Sequence, residues 1–247
     1  MTALVLDLGN TRWKLGVASR TGISDIVSGN YLEWSSIRDA CSTRMNSGMR
    51  VLVSSVASPD RTQQTLQDLE AAGLGVERIG ATSPLGGIIP GYRMPQQLGT
   101  DRLMAMIAVR AMTRAPFCVV DAGTAATIDF VDAAGRHLGG LILPGERMAR
   151  ETLLGNTFIP RDATVADGDL LGRDTATGVA LGARYSVAAI VELFTAGSRA
   201  LFPGETAGIF VGGGDADSVI NAMSLPCTRV EHLVLQGLAE LAMKRGS

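Results

Sequence analysis

The sequence predicts an α/β protein of two lobes, built from one unit that occurs twice. An apolar strand ending in aspartate, Val5-Leu6-Asp7, runs into the small turn Leu8-Gly9-Asn10-Thr11. The same pattern returns 114 residues later as Val119-Val120-Asp121 followed by Ala122-Gly123-Thr124-Ala125, nearly half the 247-residue chain away. Further on in each half, a short apolar strand leads through a turn into a helix. A β-β-β-α-β-α unit present twice is the simplest account of these recurrences. It places the lobes at 1–115 and 116–247, each with a mixed sheet flanked by helices.

The elements follow in order. Residues 2–8 and 13–18 are rich in Leu and Val and are joined by Gly-Asn-Thr, a hairpin signal. A third strand is expected over 22–31, a helix over 35–46 and a strand over 51–56. The stretch 59–72 reads as a helix entered at Ser58 or Pro59 and stopped at Gly73. A weaker strand follows at 76–79. Residues 81–99, rich in Gly, Pro and Gln, read as loop. Apolar residues at 103, 106, 107 and 109 predict a helix over 100–112. After Pro116 the pattern restarts, with strands over 117–121, 126–131 and 137–143, the last ending at Pro144-Gly145. Residues 208–211 and 216–222 then read as strand and helix around Gly212-Gly213-Gly214-Asp215. The segment 155–173 carries no readable signal.

Composition narrows the function classes. With 46% hydrophobic and 19% charged residues, the chain has ample material for a core. Its formal net charge of −2, from 22 basic and 24 acidic residues, leaves no electrostatic footprint for nucleic acid or an anionic membrane. Cys41, Cys118 and Cys227 are widely spaced, and His137 and His232 are the two histidines, so neither a disulfide framework nor a zinc site is indicated. The N-terminus lacks a basic leader, and the longest apolar segment, 178–197, carries Arg184 and Glu192. A cytoplasmic protein is expected.

The two turns suit phosphate. Glycine lets backbone N–H groups approach a ligand with no Cβ in the way, and successive N–H groups form an anion-binding concavity. Asn10 and Thr11 add side-chain donors, and Lys14 adds positive charge. Asp7 and Asp121 would repel bare phosphate, so each predicts a bound cation or an ordered water between carboxylate and phosphate. The bland alternative is a hairpin whose Asp bonds its own turn. Neither G-x-x-x-x-G-K-[ST] nor a strand-borne G-x-G-x-x-G is present. The segment Tyr92-Arg93-Met94-Pro95-Gln96-Gln97-Leu98-Gly99-Thr100-Asp101-Arg102 looks like acceptor chemistry. Asp101 falls at the mouth of the predicted helix, where the helix N-terminus and Arg102 favour its ionised form. An ionised carboxylate there can accept a hydroxyl proton; equally, Asp101 or Thr100 can be a helix cap and nothing more.

These residues resemble the type III pantothenate kinase family of the acetate kinase/sugar kinase/Hsp70/actin-like superfamily. Asp7 to Gly16 resembles the family's D-x-G-N-T-x-x-K-x-G, and Tyr92 to Arg102 its Y-x-x-P-x-x-L-G-x-D-R. Asp121 to Asp129 resembles D-x-G-T-A-x-T-x-D, and Gly139 to Gly145 resembles G-G-x-I-x-P-G. The resemblance implies a duplicated actin-like (ribonuclease H-like) fold and ATP-dependent phosphorylation of pantothenate to 4'-phosphopantothenate, the first step of coenzyme A synthesis. It implies Asp101 as proton acceptor. For ATP it implies Asp7, Leu8, Gly9, Asn10, Thr11, Arg12, Trp13, Lys14 and Thr124. For pantothenate it implies Tyr92, Gly99, Thr100, Asp101, Arg102 and Thr175, with Thr177 the competing register for the last. It implies magnesium with the nucleotide, potassium or ammonium at Asp121, and a homodimer. Thr100 stands where many members have Ala, and Val211 where Thr is common. Other kinases of the fold, an exopolyphosphatase, or a non-catalytic relative are the alternatives; the Tyr92–Arg102 block separates the first two, and retention of Lys14, Asp101 and both turn aspartates opposes the third.

Overall fold

Leu and Val at alternate positions of residues 3–8 face a core on both sides, which makes this segment the centre of a sheet rather than its edge. In the computed structural model, which describes residues 2–31, 35–45, 49–80, 84–158, 170–197, 202 and 204–244, strand β1 (Ala3–Leu8) is that central strand. It pairs antiparallel with β2 (Arg12–Ser19), which pairs with β3 (Gly22–Asn30), and on its other side runs parallel to β4 (Arg50–Ser55). Strand β5 (Gly75–Arg78) completes a five-stranded sheet of order β3-β2-β1-β4-β5. The connections are helix α1 (Ser35–Arg44) and helix α2 (Pro59–Ala71). Pro59 occupies the first turn of α2, and the Ser58 hydroxyl accepts the Arg61 N–H as its N-cap.

The second half repeats this plan. Strands β6 (Phe117–Ala122), β7 (Ala125–Val131), β8 (His137–Pro144), β9 (Gly208–Gly212) and β10 (Thr228–Arg229) form a sheet of order β10-β9-β6-β7-β8. In each sheet the first strand of the unit is central, its hairpin partner antiparallel and its fourth strand parallel. The predicted duplication is therefore present, each sheet carrying a fifth strand beyond the four of the predicted unit, and the fold is the duplicated actin-like one.

By contacts, one compact unit comprises Met1–Arg114, Gly135–His137 and His232–Ser247, and the other Ala115–Ala134 with Leu138–Glu231. The first takes in helix α3 (Thr100–Met112) and the last helix, α7 (Leu233–Lys244). Leu233, Leu235, Leu238 and Leu241 of α7 are buried, and the helix packs against α3, β1 and β2. Leu4, Leu6, Leu8, Trp13, Leu15, Val51 and Val53 lie in the core on the other side of this sheet.

Three helices went unpredicted or unassigned: α4 (Glu146–Gly155) and α5 (Thr175–Ala196) in the second unit and α7 in the first. Helix α6 (Ala216–Ala222) lies where expected. By length and composition α5 is apolar enough to cross a membrane. Val187, Ala188 and Val191 instead sit in the core of the second unit with Val120, Ile128, Ile209 and Val211. The predicted helix end at residue 46, loop positions 81–83 and most of the unread 155–173 segment lie outside the described residues. Within the described part of the 81–99 loop, Leu85 bridges Ile88, Ile89 bridges Arg136, and Pro95–Gln97 form a 3-10 turn.

Candidate functional site

Strand register places the first turn's charges. Asp7 stands opposite Lys14 and Leu8 opposite Trp13 across the β1–β2 hairpin. Directly opposed residues of an antiparallel pair project to the same face. The turn is closed by the Gly9 N–H donating to the Arg12 carbonyl at 3.1 Å. Asn10, Thr11 and Arg12 are exposed at its tip, while Asp7 and Lys14 are half-buried. Leu8 and Trp13 turn their side chains into the core, Trp13 donating Nε1–H to the Asn30 carbonyl at 3.0 Å. Any contact of those two with a nucleotide is left to the backbone.

The acceptor segment is fastened to the same end of this sheet. Strand β4 runs parallel to β1 with Ser54 beside Asp7 and Ser55 beside Leu8. The Thr100 hydroxyl accepts from the Ser54 hydroxyl at 3.0 Å and the Ser55 N–H at 3.2 Å, and lies 3.2 Å from the Ser55 carbonyl. The first turn of α3 is thus pinned to the strand that neighbours β1 and its Asp7 turn. Thr100, a departure from the common alanine, is put to use here as an anchor rather than as a cap: the N-cap is Gly99, which makes no side-chain cap bond.

Asp101 follows directly, half-buried, with Oδ1 accepting the Arg102 N–H at 2.7 Å. A Cβ at Gly99 would stand 2.5 Å from that same oxygen. Only glycine at 99 leaves the carboxylate where it is. Arg102 is 4% exposed. Its Nη1 donates to the Tyr92 hydroxyl at 2.5 Å, and its guanidinium carbon lies 5.4 Å from the centre of the Tyr92 ring. Tyr92 in turn stacks on buried His137, with centroids 5.8 Å apart and planes 20° apart. The sequence placed His137 at the start of a strand and did not connect it with Tyr92. What links it to Tyr92 is the Ile89–Arg136 bridge across a 47-residue gap, which no local pattern announces.

The second unit holds the other turn. Asp121, half-buried at the end of β6, is opposite Thr127 on β7 and beside Gly212 on β9. The Gly123 N–H donates to the Ala125 carbonyl, and the Thr124 carbonyl accepts the Gly145 N–H at the head of α4. On the other side, Asp215 N–H donates to the Ala122 carbonyl at 2.9 Å. Gly213 makes this approach possible. Its φ is +98°, and a Cβ there would lie 2.1 Å from the Ala122 carbonyl oxygen. The Asp215 carboxyl is pushed up from its ordinary value by burial first and by the Glu146 carboxylate second. Glu146 itself accepts the Ser218 hydroxyl.

The two threonines of α5 separate cleanly. Thr177 is buried, its N–H and hydroxyl both donating to the Asp174 carboxylate at 2.8 and 2.7 Å. These bonds hold the Asp174 carboxyl below its usual range. Thr175 is exposed at the first position of the helix. Among the described residues no group of three or more His, Cys, Asp and Glu side chains is arranged to hold a metal.

Comparison with known proteins adds the family. The sequence model of the type III pantothenate kinases matches residues 3–196. A type III pantothenate kinase of Aromatoleum aromaticum is 36% identical over 244 residues, covering 97% of each chain. One of Halorhodospira halophila is 34% identical over 245 residues, covering 95% of each. Among solved structures, component A of the (R)-2-hydroxyglutaryl-CoA dehydratase of Acidaminococcus fermentans superposes with a TM-score of 0.56 at 14% identity, covering 99% of this chain and 97% of that one, a likeness of fold alone. The chain belongs to the type III pantothenate kinase family.

Proposed function

We propose that this chain carries out its family's reaction, phosphorylation of pantothenate by ATP in coenzyme A synthesis, with Asp101 receiving the proton of the attacking hydroxyl. The observation that carries the assignment of Asp101 is the Thr100 anchor. Through Ser54 and Ser55 it fixes the carboxylate at the end of the sheet where β1 delivers Asp7 and its turn. As the primary hydroxyl oxygen of pantothenate bonds to the γ-phosphorus, the bond from that phosphorus to the β-γ bridging oxygen breaks and ADP leaves. The hydroxyl proton passes to an Asp101 oxygen. Little covalent chemistry falls to the protein in such a transfer, so positioning and charge placement dominate.

The remaining roles follow from chemistry. The N–H groups of the Asp7 turn, with Thr11 and Lys14, bind the nucleotide phosphates. Thr124 is their counterpart in the second turn. Arg102, nearly buried and braced by Tyr92, offers a guanidinium to the carboxylate of pantothenate, the one anionic group of that substrate. Thr175, whose hydroxyl is not committed to Asp174 as that of Thr177 is, makes the further substrate contact. Asp121 is a half-buried carboxylate at the second turn, an oxygen donor of the kind that suits potassium or ammonium, and Asp7 is the corresponding group for magnesium. When bound, these ions supply positive charge that offsets the phosphates. We also propose a cytoplasmic homodimer; the exposed Leu138 and Ile142 of edge strand β8 and Met148 and Leu153 of α4 support an apolar contact surface on the second unit.

Gly99→Ala tests the placement of Asp101. The added methyl meets only the Asp101 carboxylate and, at 3.6 Å, Val56, so the fold tolerates it and the carboxylate swings aside. We expect kcat with pantothenate to fall about a hundred-fold with the melting temperature nearly unchanged. An unaltered rate would remove Asp101 from the reaction.

A further inference from the structure

Tyr31 and Arg61 lie outside the four blocks that resemble the family's motifs, yet both reach the Asp7 turn. Tyr31 follows the end of β3, and its hydroxyl donates to the Gly9 carbonyl at 2.7 Å. Arg61 sits in the first turn of α2, and its Nη1 donates to the Asn10 carbonyl at 3.1 Å. The two side chains also hold each other, with the Arg61 guanidinium carbon 4.1 Å above the centre of the Tyr31 ring. Ser58 caps the Arg61 N–H and so fixes the backbone from which the guanidinium extends. Two consecutive carbonyls of the turn are therefore gripped by one stacked pair.

The consequence follows from peptide geometry. Each peptide unit is planar, and in the trans form the C=O of one residue points opposite to the N–H of the next. The described chain contains no cis peptide bond. Holding the Gly9 carbonyl on the Tyr31 side therefore turns the Asn10 N–H to the opposite side. Holding the Asn10 carbonyl on the Arg61 side does the same for the Thr11 N–H. Two successive N–H groups turned to one side are what an anion concavity requires. A bare four-residue turn with glycine at its start has no such constraint, because either peptide plane can rotate. Tyr31 remains a donor throughout any working pH range: burial first, and the Asp7 carboxylate second, push its hydroxyl up to about 12, with Arg61 pulling the other way.

We propose that Tyr31 and Arg61 are positioning residues for ATP, which hold the Gly9 and Asn10 carbonyls so that the Asn10 and Thr11 N–H groups face the nucleotide's phosphates. This rests on the reading of the Asp7–Lys14 segment as the ATP phosphate site. Neither side chain touches the reacting atoms; they act through the turn. The preorganised turn binds phosphate without having to order itself first.

The test is steady-state kinetics of the full chain in ATP and in pantothenate separately, with melting temperatures, for Tyr31→Phe, Arg61→Ala, Arg61→Lys and, as a reference, Thr11→Ala. Tyr31→Phe keeps the ring under Arg61 and removes only the hydrogen bond. It is expected to raise the KM for ATP roughly five-fold, the effect of one such bond, while the KM for pantothenate and the melting temperature stay at wild-type values. Arg61→Ala loses the bond and the stack together and raises the KM for ATP further; Arg61→Lys, which can still donate to Asn10, recovers part of it. If Thr11→Ala raises the KM for ATP while Tyr31→Phe and Arg61→Ala do not, the turn binds phosphate but the tether is wrong. If Thr11→Ala also leaves it unchanged, the phosphate reading fails and the proposal with it. A parallel rise in both KM values together with a lower melting temperature would mean a purely structural pair, and would likewise overturn it.

Discussion

Asp101→Asn is expected to lower kcat about a thousand-fold and to leave the fold intact, the loss that follows when a positioned proton acceptor is removed. The amide is close to isosteric and its oxygen can still accept the Arg102 N–H, so the first turn of α3 keeps its geometry. The Thr100 bonds to Ser54 and Ser55 do not involve the substituted group. What disappears is the capacity to take up a proton. The change should therefore fall on kcat, with the KM values for ATP and pantothenate within a small factor of wild type. Rapid-quench measurement of ADP formation in a single turnover places the defect in the chemical step. Near-normal turnover by this variant would mean that the carboxylate serves only the first turn of α3, through its bond from the Arg102 N–H.

Asp121→Asn has the second-largest expected effect, and it concerns ions. Wild-type activity should drop markedly when potassium is replaced by sodium at constant ionic strength. Asp121→Asn should be slow in both salts, by about a hundred-fold against wild type in potassium, since the carboxylate proposed to hold the charge-offsetting cation is lost. Asp121 lies between Thr127 and Gly212 in its sheet, and asparagine keeps its size and its backbone pairing, so the unit should still fold. Equal rates in potassium and sodium for the wild-type chain would detach Asp121 from any cation role.

Much of this arrangement was legible in the sequence because its signals are local. Strands β1, β2, β6 and β7 carry dense runs of Leu, Val and Ile ended by Gly-containing turns, and they fall where the pattern puts them. Helix α3 begins at Thr100 and ends at Met112 as its apolar spacing requires. The duplication was visible because both turns keep the same chemistry at the head of each half. Helix α7 was missed although Leu235, Leu238 and Leu241 repeat along one side; its partners, α3, β1 and β2, lie more than a hundred residues earlier. Helix α5 is apolar nearly all round and contains Gly178 and Gly182, so periodicity has little contrast to work on.

The site divides in the same way. Its reactive groups sit in short motifs, whereas the bonds that place them are long-range. Thr100 finds Ser54 and Ser55 some 45 residues away, and Arg61 finds Asn10 across 51. Nothing in a single sequence marks a serine at a strand end as the anchor of a later helix. Tyr92 and His137 come together only through the Ile89–Arg136 bridge. Thr175 was the motif match with Thr177 the competing register, and what no motif announces is that the Asp174 carboxylate takes Thr177.

The most direct measurement is a coupled assay of ADP release by the purified chain with ATP and magnesium in potassium buffer, run with pantothenate, a panel of sugars and acetate. The account predicts ADP release dependent on pantothenate, with a phosphate monoester at its primary hydroxyl as product and only background rates with the other acceptors. Turnover with a sugar or acetate, and none with pantothenate, would contradict it.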